Sequence, residues 1–274
     1  MLFNKDRPLT IAYKLTDKSL ASKLKWFEHL PEINLIPAEH LFNGTDDIPL
    51  LRITNKGLFL EQNGQRLFFH PNMAILRFVN IIRGDGDRFL RAVQLKKGDS
   101  FLDATMGLGV DTLIASWTVG AEGKVLALES SPLIFTLVTE GLENMKNRVF
   151  PLTTHSLKKQ AWNELSQAAT YIKTIHTDHL EYLKSLPDSS LDVIYFDPMF
   201  RLPRTKSSAM QPIKTWSDPN PIKKETIDQA LRVAKRRVVL KERKNSPEFS
   251  ELGFQTILEN KYSPIDFGII TISE

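Results

Sequence analysis

From about residue 96 onward the chain repeats one pattern, a short apolar run followed by a stretch of helical spacing. This alternation narrows the possible folds more than any other feature. "SFLDA", "KVLALE", "YIKTIHT", "LDVIYF", "RRVVLK" and "GFQTIL" read as strands, with "DTLIASWTV" and "SPLIFTLVTEGLENM" as helices between them. Strands that alternate with helices pair in parallel through right-handed crossovers, and helices cover both faces of the sheet. The expectation is an α/β fold built on a mainly parallel, doubly wound sheet. Ligands of such sheets collect at the carboxyl ends of the strands.

Residues 10 to 95 read differently. "TIAYKL" has strand character, and "DKSLASKLKWFEHL" reads as an Asp-capped amphipathic helix. "LLRITNKGLFLEQNGQRLFFH" reads as two or three short strands turned at Asn55-Lys56-Gly57 and Asn63-Gly64. "NMAILRFVNIIRG" follows as a helix closed by Gly84. The division expected is a smaller mixed α+β N-terminal region over 1–92, with substrate docking suggested by position alone, and a larger α/β domain over 93–274. The chain has 274 residues, 42% of them hydrophobic, ample for a sizeable core. It has no cysteine, which excludes disulfides, thiolate catalysis and cysteine-ligated metals. The six histidines form no His-x-x-x-His pair and no Gly-x-Ser-x-Gly element occurs, so neither a metal nor a serine hydrolase is expected. No run of about 18 apolar residues is present, and "MLFNKDRPLTIAYK" carries charges where a signal peptide needs an apolar stretch. A cytoplasmic protein without a membrane contact is the expectation.

Two stretches carry chemistry. "FLDATMGLGVD" follows a strand and opens a helix. Gly107 and Gly109 let backbone approach a ligand closely, and Asp103 sits at the strand end. The next apolar run ends at Glu129, where an acid in this fold accepts from both hydroxyls of a ribose. A dinucleotide site would want a third glycine at position 112, which is Thr112. Asp178, after the third run, has two readings: acceptor for an adenine amino group, or cap of the helix "HLEYLKSL". A crevice lined by Asp103, Glu129 and Asp178 repels phosphates and suits a ligand with a positive charge, such as the sulfonium and amino group of S-adenosylmethionine.

The second stretch is "YFDPMF", residues 195–200, a buried strand ending in an acid and a proline. The Asp197 carboxylate can accept one hydrogen of an exocyclic amine and the Pro198 carbonyl the other, and Phe200 can stack on the ring. Asp197 then stabilises the charge that develops on nitrogen as a methyl arrives. Basic residues follow closely: Arg201, Arg204, Lys206, Lys214, Lys223 and Lys224, within a chain of net charge +4. This segment, 201–224, reads either as a solvated face or as a loop that closes on nucleic acid, with Arg201, Arg204 and Lys206 near phosphates. Trp216 reads as core or as a stacking platform. Arg83, Asp85 and Asp87 read as a cleft wall or a solvated turn between helices.

"DPMF" resembles the Asp/Asn-Pro-Pro-Tyr/Phe motif of class I S-adenosylmethionine-dependent amino methyltransferases, with Met199 in place of the second proline. Together with "LDATMGLGVD", "ALESSP", "GDRFLRAV" and "VVLKERKNSP", it is similar to the J-type methyltransferases that modify guanine N2 in small-subunit ribosomal RNA. The similarity runs from about residue 57 to the C-terminus. It implies a Rossmann-like, seven-stranded sheet, S-adenosylmethionine as cofactor and rRNA or the small ribosomal subunit as partner. It also implies that Asp103, Ala104, Gly107, Gly109, Asp111, Glu129 and Ser130 contact the cofactor and that Asp197, Pro198 and Phe200 hold the base. Lys241 matches a lysine of the family, either meeting a phosphate or terminating its strand. Other classes stay open: adenine N6, a protein or small-molecule amine, or a non-catalytic RNA-binding module on the same fold.

Overall fold

The computed structural model describes residues 8–41, 47–147, 155–198, 211–258 and 263–272. Two sheets organise it. The N-terminal sheet has the order β2-β1-β3-β4-β5, from β1 (Leu9–Leu15), β2 (Ile33–Pro37), β3 (Leu50–Thr54), β4 (Gly57–Gln62) and β5 (Gln65–Phe68). The β4–β5 hairpin turns where Asn-Gly predicts it, with Asn63 at φ 49° and Gly64 at φ 72°. Asp17 caps the following helix through Ser19, yet residues Lys18–Phe27 form a 3-10 helix rather than an α-helix.

α1 (Asn72–Arg83) and α2 (Arg88–Val93) lead to the larger sheet. Gly84 ends α1 in the left-handed region, φ 89°, and donates its N–H to the carbonyls of Asn80 and Ile81. The larger sheet comprises β6 (Ser100–Asp103), β7 (Lys124–Glu129), β8 (Ile172–His176), β9 (Leu191–Phe196), β10 (Ala234–Arg243), β11 (Thr256–Leu258) and β12 (Ile265–Thr271). Its order is β11-β12-β10-β9-β6-β7-β8. Every pair from β10 to β8 is parallel, whereas β12 runs antiparallel to both β10 and β11. The order reverses between β6 and β9, and β6, the first strand of this sheet in sequence, lies inside the sheet between β9 and β7, so its carboxyl end opens into the crevice where such folds bind ligands.

α3 (Val110–Val119), α4 (Pro132–Asn147) and α5 (Ser156–Ala169) cover one face with α1, and α6 (His179–Ser185) and α8 (Lys224–Val233) cover the other. The first face shares its core with the N-terminal sheet: Ile11, Leu51, Phe78, Phe101 and Leu113 belong to one contiguous buried cluster. Phe89 of α2 packs edge-on against Tyr195 of β9, ring centroids 4.9 Å apart, and so ties the chain before residue 93 to the centre of the large sheet. α7 (Gln211–Trp216) lies against β5, with Trp216 buried as core. Among the described residues no helix is long and apolar enough to cross a membrane, and no group of three or more acidic or histidine side chains is placed to hold a metal.

Candidate active site

The carboxyl ends of β6, β7, β9 and β10 surround a cavity of about 340 Å³, within the range of roughly 300–1,000 Å³ common for small-molecule sites. Six of the residues expected at the cofactor line it: Asp103, Ala104, Gly107, Asp111, Glu129 and Ser130. Gly109 shapes the site from behind. It begins α3 at φ 71°, where a Cβ would come within 3.3 Å of Val138.

Asp103 ends β6 and is 1% exposed. Its carboxylate accepts from the Thr112 hydroxyl at 2.6 Å and the Thr105 N–H at 3.2 Å. Thr112, the residue that stands where a dinucleotide site wants glycine, thus orients the first acid. Glu129 ends β7 and accepts from the N–H groups of Gly107 at 3.0 Å and Ser131 at 2.9 Å. Burial pushes both acids up to about 7. Near neutral pH each is poised between its forms, and a cation placed between them would favour ionisation.

Asp178 is not among the cavity-lining residues. Its carboxylate accepts from Leu180 and Glu181 N–H at 2.8 and 3.2 Å and caps α6, the second of its two readings. The neighbouring His179 lines the cavity instead, with its pKa lowered by burial and its ring edge-on to Phe196.

At the other part of the cavity β9 delivers Asp197 and Pro198. The Asp197 N–H donates to the Thr105 hydroxyl at 2.6 Å, which pins the motif to the glycine-rich loop. Asp197 Oδ2 accepts from Lys241 Nζ at 2.6 Å, and the same ammonium donates to Asp111 Oδ2 at 2.9 Å. Asp111 also accepts from the buried Tyr195 hydroxyl at 2.7 Å and pairs with Arg77. Arg77 is held in turn by both oxygens of Asp87, each at 3.0 Å.

This arrangement bears on three expectations. Lys241 lies inside β10 rather than at its end, and it is engaged by two carboxylates, Asp111 and Asp197. Asp111 lines the cavity, but three protein donors hold its two oxygens, and it serves as their counter-ion. Asp87 caps α2 and braces Arg77, while Arg83 and Asp85 are exposed. Phe200, Arg201, Arg204 and Lys206, with Met199, lie outside the described residues. The sequence reading missed Arg77, Thr105 and Tyr195. The one signal for Tyr195 was a hydroxyl in an apolar strand, which needs a partner once buried; Arg77 sits between the core positions Ala74 and Phe78 of α1 and gave none.

Residues 68–267 match the family described as "Putative SAM-dependent methyltransferase". The chain belongs to this family. It is accordingly an S-adenosylmethionine-dependent methyltransferase, an enzyme with S-adenosylmethionine as its cofactor. YpiP of Bacillus subtilis is 35% identical over 236 residues, 86% of each chain. Ribosomal RNA small subunit methyltransferase J of Buchnera aphidicola is 31% identical over 182 residues, 64% of this chain and 66% of that protein. The Cellvibrio japonicus protein of the same name is 35% identical over 129 residues, 46% of this chain and 43% of its own length. A solved S-adenosylmethionine-dependent methyltransferase from Neisseria gonorrhoeae superposes over 96% of this chain and 95% of its own, with a TM-score of 0.66 and 16% identity, a likeness of fold. The cavity fits the family's cofactor: two buried acids that a cation would ionise, and a loop whose Gly107, at φ 51°, brings backbone to the wall.

Proposed function

We propose that the enzyme methylates an exocyclic amine of a nucleobase, guanine N2 of small-subunit ribosomal RNA. The observation that carries this reading is the placement of Asp197 and Pro198 at the end of β9, in the same cavity as Asp103 and Glu129. Two acceptors side by side take the two hydrogens of an aromatic amine, and the negative charge of Asp197 favours the cation that forms on its nitrogen. The cofactor supplies a methyl group on a positively charged sulfur. Asp103, Glu129 and the Gly107 loop are the groups that would hold it, Glu129 toward the ribose hydroxyls and Asp103 toward the amino group. The relatives named for small-subunit rRNA methylation support the choice of RNA. A base within folded RNA has to leave its stack to reach Asp197; in this reading the N-terminal sheet, whose β5 packs on α7, is assigned the docking of the surrounding RNA.

The test is transfer of labelled methyl from S-adenosylmethionine to small ribosomal subunits from cells lacking this gene, followed by nucleoside analysis. Label in N2-methylguanosine is the expected result. Label in N6-methyladenosine would overturn the choice of base, and absence of label in any nucleoside would overturn the substrate class.

A further inference from the structure

Arg77 and Lys241 are the two permanent cations among the described residues that line the cavity, and both converge on Asp111. Neither belongs to the cofactor loop or to the Asp-Pro element: Arg77 comes from α1, ahead of the large sheet, and Lys241 from β10. Lys241 bridges Asp111 to Asp197, giving the chain Asp87–Arg77–Asp111–Lys241–Asp197. We propose that Lys241, steered by Asp111 and Arg77, is a positioning residue for Asp197: it holds Oδ2 and leaves Oδ1 as the acceptor for the target amine. The proposal rests on the reading that Asp197 receives the amine.

The geometry makes this more than an ion pair. Asp197 is fixed twice, by Lys241 at its carboxylate and by the Thr105 hydroxyl at its N–H, so both its direction and its height above the sheet are set before substrate arrives. Tyr195 and Arg77 also donate to Asp111, while Lys241 bridges that carboxylate to Asp197. The charged and titratable groups that act on Asp197 or feel its charge are Lys241 and Glu242 from β10, Asp111 from α3, Arg77 from α1, Asp103 from β6 and Tyr195 from β9. Burial raises Asp197, the Lys241 ammonium opposes that rise and the Asp111 carboxylate adds to it. The two neighbours therefore act with opposite sign.

The test measures Asp197 directly, by carbon-13 carboxyl NMR titration of the cofactor-free protein, with Asp197→Asn to assign its resonance. Lys241→Met is expected to move the Asp197 midpoint up by about one unit or more and Asp111→Asn to move it down, the size expected when a charge within hydrogen-bonding distance is removed. Lys241→Arg, which keeps the cation, serves as the folded control. Alongside, single-turnover transfer at saturating cofactor should show its acidic limb displaced in the same two directions, with cofactor affinity within about threefold of wild type. Midpoints unchanged in both variants, or moved the same way in both, would overturn the proposal, as would a loss of transfer uniform across pH. If the midpoints move as stated but wild-type protein labels no nucleic acid, the positioning network stands and the substrate reading falls.

Discussion

At the residue scale the site is a set of acids in different states. Asp111 is held below the usual carboxylate range: burial alone would raise it, and Lys241 and Arg77 more than offset that. Asp103 and Glu129 lack a permanent cation and sit at about 7. With the cofactor held between them as proposed, its positive charge would favour their ionised forms and binding would expel protons. Affinity for S-adenosylmethionine should then rise as pH increases from about 6 to about 8, by at most about tenfold per unit for each acid. Calorimetry in two buffers of different ionisation enthalpy would register the release, and Glu129→Gln should flatten part of the slope. An affinity that is level or falls over that range would contradict it. Most of these residues were legible, because strand-end acids and glycines announce themselves by position in the pattern. Arg77 was not, because its role arises from α1 contributing to the cavity wall, a tertiary relation with no local signature. Asp178 shows the converse: a strand-end acid whose nearest donors are the free N–H groups of the next helix.

At the element scale, periodicity predicted the parallel strands, and the asparagine-glycine and glycine signals placed the hairpin and the end of α1. β12 escaped because Gly268 interrupts an apolar run that otherwise has strand character. The structure explains that glycine: a Cβ there would lie 2.6 Å from Phe249 and 2.9 Å from Phe254. Gly141 in α4 is tighter still, with a Cβ at 2.2 Å from the Phe69 ring that joins β5 to α1. Gly141→Ala is therefore expected to destabilise the protein. Overpacking of a well-filled core costs about 1–3 kcal/mol, and the gain in helix propensity returns about 1 kcal/mol at most. Denaturant titration should show a lower midpoint at unchanged slope, and Phe69→Leu should recover part of it. A midpoint at or above wild type would show that Phe69 moves aside freely.

At the scale of the whole molecule, the N-terminal sheet and the methyltransferase sheet share one core, and residues before 93 supply Arg77 to the site and Phe89 to the Tyr195 ring. The full chain should unfold in one transition, coincident by near- and far-ultraviolet dichroism, and a fragment of residues 93–274 should not unfold cooperatively. Two resolved transitions would instead establish independent domains. Composition could hint at a boundary but not at a buried interface across it, since apolar residues facing another sheet look the same as those facing a helix. The proposed function requires a division of labour within one cavity, the cofactor on Asp103 and Glu129, the amine on Asp197 and Pro198. Asp197→Ala tests this most directly, with methyl transfer and S-adenosylmethionine affinity measured on the same preparation. The account predicts transfer reduced about a hundredfold or more and cofactor affinity within about threefold of wild type. Transfer that persists, or affinity that falls in step with it, would contradict it.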